Sequence, residues 1–197
     1  MNDIKCKGMA GDIPVYCSFD KIVSLEDMKP NPKNPNKHPN EQIQLLAKII
    51  EAQGWRAPVT VSTLSGMIVR GHGRYQAAEL IGCPVPVDFQ DYPGEAEELA
   101  DMLADNRIAE LAEIDKAALA AVFRDIDAES IDAALSGYSK LEIDHILQAV
   151  SDGLSEDDFD QFFEPAEDET DGDDEPDAGE EKPQRIKCPH CGEWIEV

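Results

Sequence analysis

Apolar positions along the chain fall into short blocks whose period changes repeatedly, and the changes mark out the expected elements. Residues 13–25 (IPVYCSFDKIVSL) are rich in β-branched and aromatic side chains, which suits one or two short strands. The next stretch, PNPKNPNKHPN, holds four prolines and four asparagines in eleven residues. Proline fixes the backbone and asparagine tolerates turn geometry, so an ordered loop is expected there. From Asn40 the spacing becomes helical: Ile43, Leu46, Ala47 and Ile50 share a face, Asn40 serves as the cap and Gly54 as the stop.

Beyond Trp55, the run PVTVSTLSGMIVRG predicts a hairpin, with PVTV and MIV as strands and the turn at Leu64–Gly66. GHGRYQAAELIG follows as a glycine-rich turn opening into a short helix, and CPVPVDFQ reads as a further strand. Residues 94–110 predict a helix with Leu99, Met102 and Leu103 on one face. DKAALAAVFRDID and SKLEIDHILQAV predict a final helical pair, separated around Gly137. Strands and helices mix without a regular βαβ order, and no repeat recurs along the chain, so the expected class is α+β.

Charge divides the molecule. Between Asp152 and Glu181 there are 16 acidic and no basic side chains. Residues 1–150 carry 24 acidic against 14 basic residues, so the acidic run supplies most of the net −25. Such a run buries too little apolar surface to offset its ordering entropy, and a disordered linker is expected. No apolar run reaches the roughly 20 residues of a membrane span. The first residues lack the apolar stretch of a secretory signal. Five cysteines, two of them in a CxxC, fit a reducing compartment better than a disulfide framework. A cytoplasmic protein is expected. Basic residues gather only at Lys29, Lys33 and Lys37, so direct DNA binding by this chain alone is not favoured.

The stretch with the most chemistry is Ile68 to Ala78, IVRGHGRYQAA. A strand enters a turn with two glycines and a helix starts at once. Unpaired N–H groups and the helix dipole favour an anion there. Gly71 and Gly73 permit close approach of a phosphate, and Arg74 can supply a charge-assisted pair. His72 can donate to an oxygen or act as an acid or base near neutral pH. The plainer alternative is a tight strand–helix turn whose arginine makes a surface ion pair. Lys33, Asn34 and His38 allow two readings as well: they flank a ligand, or they belong to a rigid loop whose asparagines satisfy their own backbone.

The succession NPKNP, a helix ending in glycine, PVTV, IVRGHGRYQAA, a VPV strand and DNR resembles the ParB N-terminal domain, also called the ParB/sulfiredoxin fold. The resemblance covers about residues 18–110, and its most specific pieces are GHGRYQAA and Asp105-Asn106-Arg107. It implies a nucleotide site for CTP or ATP with Mg2+. Gly71, His72, Gly73 and Arg74 would hold phosphates, and Asn106 and Arg107 would make the second set of contacts. Whether the nucleotide is hydrolysed, as by a ParB-type triphosphatase, is left open.

Departures narrow the reading. Tyr75 stands where the partition proteins have a second arginine, and the loop lacks the cysteine that sulfiredoxin chemistry needs. No helix-turn-helix region follows residue 150, so chromosome partitioning as such is not expected. The chain is more similar to ParB-like proteins of phages and prophages, which stand alone or precede a DNA methyltransferase. That resemblance implies a role in DNA modification or phage DNA metabolism. Two alternatives stay open: a non-catalytic adaptor that binds a methyltransferase or other DNA enzyme, and a metal-dependent nuclease.

At the end of the sequence, Cys188 and Cys191 in CPHCG resemble half of a zinc ribbon. Two thiolates spaced by two residues can turn toward one Zn2+, but structural zinc takes four ligands. His190, Cys6, Cys17 or a second chain could complete the set, the last giving a homodimer. Cys83 reads as a core residue. The expected organisation is a ParB/sulfiredoxin-like domain at 13–110, a helical extension at 111–150, an acidic linker at 151–184 and a CxxC knuckle at 185–197.

Overall fold

The computed structural model describes residues 5–128, 131–153, 185–187 and 194–196. The chain divides into two units, Met1–Ser155 and Glu156–Val197. In the first unit, a hairpin of β1 (Gly8–Ala10) and β2 (Ile13–Val15) precedes a four-stranded sheet. That sheet has the order β3 (Lys21–Val23), β6 (Val85–Gln90), β4 (Val59–Ser62), β5 (Ile68–Arg70). β4 lies parallel to β6 and antiparallel to β5, while β3 lies antiparallel to β6. The class is α+β, with mixed pairing in one sheet.

Burial follows topology. β4 is an interior strand, and all four of its residues are buried, whereas β6 is buried at Val85–Val87 and emerges toward Gln90. Pro86 in β6 lies just before the β4 ladder begins at Val87, so its missing N–H removes nothing from that ladder.

Helix α1 (Asn40–Gln53) packs on α2 (His72–Ile81), and α2 contacts β4. Asn40 is the first helical residue of α1 and not its cap; Pro39, with no side-chain oxygen to offer, occupies the cap. The helix ends at Gly54, whose φ of 73° puts it in left-handed territory. A Cβ there would sit 2.6 Å from the Pro14 carbonyl oxygen, so glycine is required twice over. The next residue, Trp55, donates its N–H to Pro14 O at 2.9 Å and accepts from Tyr16 N at 2.9 Å. This stitches the first hairpin to the end of α1, with the indole fully buried.

Helix α3 (Glu95–Glu110) lies against β5 and departs from the sequence expectation. Met102 is buried, but Leu103 is half exposed, and the other buried residue is Glu98. The inward face of α3 is thus largely polar. Helices α4 (Lys116–Ala128) and α5 (Lys140–Ser151) pack on each other. Phe123 meets Tyr138 edge-on at 5.2 Å, and Ser139 and Glu142 form a reciprocal capping box at the start of α5. The Lys48–Asp132 ion pair at 3.0 Å ties this extension to α1.

In the second unit, β7 (Arg185–Lys187) pairs antiparallel with β8 (Trp194–Glu196), Lys187 opposite Trp194. Cys188 and Cys191, and the acidic stretch from residue 154 to 184, lie outside the described residues. Among the described residues no helix is long and apolar enough to cross a membrane.

Candidate functional site

The start of α2 is built by a strand that ends in a left-handed glycine. β5 delivers Ile68 and Val69 into the core, and Gly71 then adopts φ 87° and ψ 31° as the cap of α2. A Cβ on Gly71 would lie 2.8 Å from Arg74 Nη2, because the arginine folds back over the turn. The first N–H bonded back along the turn is that of Tyr75, to Gly71 O at 3.0 Å. The N–H groups of His72, Gly73 and Arg74 therefore have no intrahelical acceptor.

Arg74 is the unusual charge here. Its Nε is buried and has no hydrogen-bond partner. Burial pulls its pKa down, and the field of Asp105 opposes that shift. A guanidinium stays protonated under such conditions, so a partly buried cation is left with an unsatisfied donor.

Around it lies a cavity of about 140 Å³, walled by Asn34, His38, Leu46, Val69, Gly71, His72, Gly73, Arg74, Asp105 and Asn106. Three segments meet: the asparagine-rich loop with the start of α1, the β5–α2 turn, and the polar face of α3. The structure brings Gly71, His72, Gly73, Arg74 and Asn106 together. Arg107 is not among the lining residues; it is exposed and pairs with Glu110 at 2.9 Å. A residue following Asn106 on a helix is rotated about 100° from it, which carries Arg107 off the inner face.

His72 has a different role from the one its type suggests. Burial, with His38 nearby, lowers its pKa to about 4. Its Nε2 accepts the Asn31 N–H at 3.3 Å. The ring is therefore neutral near pH 7, with its proton on Nδ1, and it anchors the asparagine-rich loop instead of acting as an acid or base there.

The asparagine-rich loop is held by its own side chains. Asn31 Oδ1 accepts from Lys33 N at 2.9 Å and Asn34 Oδ1 accepts from Asn36 N at 3.2 Å, so the asparagines do satisfy their own backbone. Yet Asn34 and His38 also wall the cavity, with His38 Nδ1 3.0 Å from Gln42 Oε1. Lys33 is instead ion-paired with Glu95.

Sequence reasoning missed Arg70, Asp101 and the side chain of Asp105. Arg70 donates through Nε to Asp101 Oδ2 at 2.9 Å and makes a second, shorter bond through Nη2 to Oδ1. Tyr92 Oη donates to the same carboxylate at 2.7 Å. The Arg70 hydrogen bond holds the Asp101 carboxyl below its ordinary range. This fork locks α3 onto β5 and so sets where Asp105 and Asn106 stand. The signal was present as an arginine ending a buried strand, but its partner lies 31 residues away.

The cysteines separate by environment. Cys83 is buried in the core, and burial raises its thiol pKa. Cys17 is half-buried, also with a raised pKa, and feels the charge of Arg74. Among the described residues no group of three or more His, Cys, Asp or Glu side chains is placed to hold a metal ion.

No family model matches the chain. A curated relative is the ParB-like nuclease domain-containing protein YnaK of Escherichia coli K12, 37% identical over 57 residues. The match takes in 29% of this chain and 64% of that protein, so the chain spans less than two thirds of the length of the relative it matches. Among solved structures, the C-terminally truncated chromosome-partitioning protein ParB from Caulobacter crescentus, complexed with CTP-gamma-S, superposes with a TM-score of 0.55. The identity is 19%, with 66% of this chain and 78% of that chain covered. At that identity the likeness shows a shared fold.

Proposed function

We propose that the first unit is a ParB-type nucleotide-binding module, with the phosphates of CTP or ATP seated at the start of α2. The observation that carries this reading is the buried Arg74 Nε without a partner, beside a left-handed glycine and three free N–H groups. An anion there would satisfy the guanidinium and the backbone together. The solved relative with this fold holds a CTP analogue, which supports the same assignment here.

Gly71, Gly73 and Arg74 then contact phosphate, while Asn34 and His38 close the cavity from the loop side. Asp105 and Asn106 suit a magnesium ion: Asn106 Nδ2 is engaged with Met102 O at 3.2 Å, which leaves its carbonyl oxygen as the free acceptor, and hard cations take oxygen ligands. Such an ion would neutralise phosphate charge near Asp105. Our reading of the wider role is service in phage or prophage DNA modification or metabolism. The CPHCG motif, with Cys188 and Cys191, would form a zinc half-site completed by further ligands.

Calorimetric titration of the full chain with CTP, ATP and GTP in the presence of Mg2+ tests the module. Saturable binding of one nucleotide, lost in Arg74→Ala, is expected. Unchanged affinity in that variant, or no binding of any nucleotide, would sink the assignment.

A further inference from the structure

Lys21 in β3 stands directly opposite Val87 in β6, so the two share one face of the sheet. Val61 of β4 and Phe89, two residues further along β6, are partners on that same face. From β3 the chain passes through a short helical turn, Leu25–Asp27, to the opposite edge of the sheet, where Lys29 O accepts the Ile68 N–H of β5 at 2.8 Å. Residues of this crossing and of the sheet together line a cavity of about 520 Å³. That volume falls within the range of small-ligand sites.

The floor of the cavity is apolar: Met28, Val61 and Val87 are buried, and the partly exposed ring of Phe89 adjoins them. Lys21 and Lys29 line it from the two edges of the sheet, and both are exposed. Among the described residues neither ammonium has a hydrogen-bond or ion-pair partner. Lys33, Lys48 and Arg70, by contrast, are each paired with a carboxylate. Asp27 is the acidic residue on this lining, and it pairs with neither lysine. The cavity therefore carries a local excess of positive charge, in a chain with 42 acidic and 17 basic side chains.

We propose that this cavity is a second ligand site, which takes a small apolar carboxylate. The ligand's apolar body lies on Met28, Val61, Val87 and Phe89, where burial supplies the affinity. Its carboxylate accepts charge-assisted hydrogen bonds from the lysine ammoniums, which fix the orientation. The acidic balance of the whole chain selects a monoanion, because its field repels a polyanion in proportion to the ligand's charge. The cavity shares no lining residue with the one at the start of α2, so the site goes beyond the nucleotide reading and does not rest on it. A free acid and the terminal carboxylate of a peptide share this chemistry.

The test is an NMR titration of the full-length labelled protein with 3-phenylpropionate and, separately, with N-acetyl-phenylalanine; 3-phenylpropionamide is the uncharged control. Saturable shifts centred on Lys21, Lys29, Val61, Val87 and Phe89 are expected with at least one carboxylate. Replacing both lysines, Lys21→Met with Lys29→Met, keeps the stems and removes the charges, and should weaken binding by roughly tenfold or more. Both side chains are exposed, so the core is untouched. Arg74→Ala, which should lose the nucleotide, should keep the carboxylate. Binding of N-acetyl-phenylalanine alone identifies a chain terminus, and binding of 3-phenylpropionate identifies a free acid. No saturable shifts with either carboxylate, equal affinity for the amide, undiminished affinity in the lysine variant, or loss of binding in Arg74→Ala would overturn the proposal. Shifts at the same residues with a thymidine octanucleotide, and none with the carboxylates, would overturn it in favour of a nucleic-acid surface.

Discussion

The backbone N–H of Asn31 donates to Nε2 of His72 across 41 residues of sequence, so the asparagine-rich loop is latched to the first residue of α2. The latch requires a neutral imidazole, because a protonated ring has no lone pair to accept with. It also places Asn34 and His38 over the turn that holds Arg74.

The latch makes stability depend on pH. His72 has a folded pKa of about 4, below the ordinary value of 6.5, so the unfolded chain binds the extra proton first. Its neutral form is favoured fully above pH 6.5, and stability falls as pH drops from there toward 4. The loss is on the order of 2–3 kcal/mol by linkage. Urea midpoints at pH 7, 5.5 and 4.5 check this, and His72→Gln should flatten the slope in that window.

Gly71→Ala should destabilise the first unit by about 1–2 kcal/mol, the cost of a left-handed backbone with a Cβ. The added methyl also collides with the Arg74 guanidinium, so the turn's anion affinity should fall with it. Denaturant melts and nucleotide titration of one variant measure both effects. A stable variant with unaltered affinity would contradict this account of the turn.

Arg74→Ala and Arg107→Ala should behave oppositely. Removing Arg74 should abolish nucleotide binding with little loss of stability, since its Nε makes no internal hydrogen bond. Removing Arg107 should leave affinity within about twofold, because it forms only an exposed pair with Glu110. Parallel calorimetry on the two variants decides, and equal losses would place Arg107 in the site.

Asp101→Asn should loosen α3 from β5. The pair is partly exposed, so the stability cost should be about 1 kcal/mol. The larger effect should fall on ligand binding, through displacement of Asp105 and Asn106. Hydrogen exchange along α3, compared with that along α2, would show whether the loosening is confined to one helix.

What the sequence determined was local. Hydrophobic period and punctuating glycines marked α1, the β4–β5 hairpin, α2 and the α+β class, since Gly54, Gly71 and Gly82 end or begin helices by their own backbone freedom. GHGR also marked a glycine-rich turn from strand to helix. The asparagine-rich loop was legible as ordered, because asparagine side chains satisfy backbone groups two residues on.

Tertiary structure decided the rest. Apolar spacing put Leu99, Met102 and Leu103 on one face of α3, but the helix docks through the Arg70–Asp101 fork and turns Glu98, Met102 and Asn106 inward. A pattern of apolar residues cannot reveal a helix held by a charged pair from a distant strand. The same docking sends Arg107 outward and brings Asp105 to the cavity. His72 loses its titration near neutral pH to burial, and burial is set by every element packed around the ring. Local patterns reflect backbone preferences within a few residues; protonation states, helix phase and cavities depend on which distant surfaces meet.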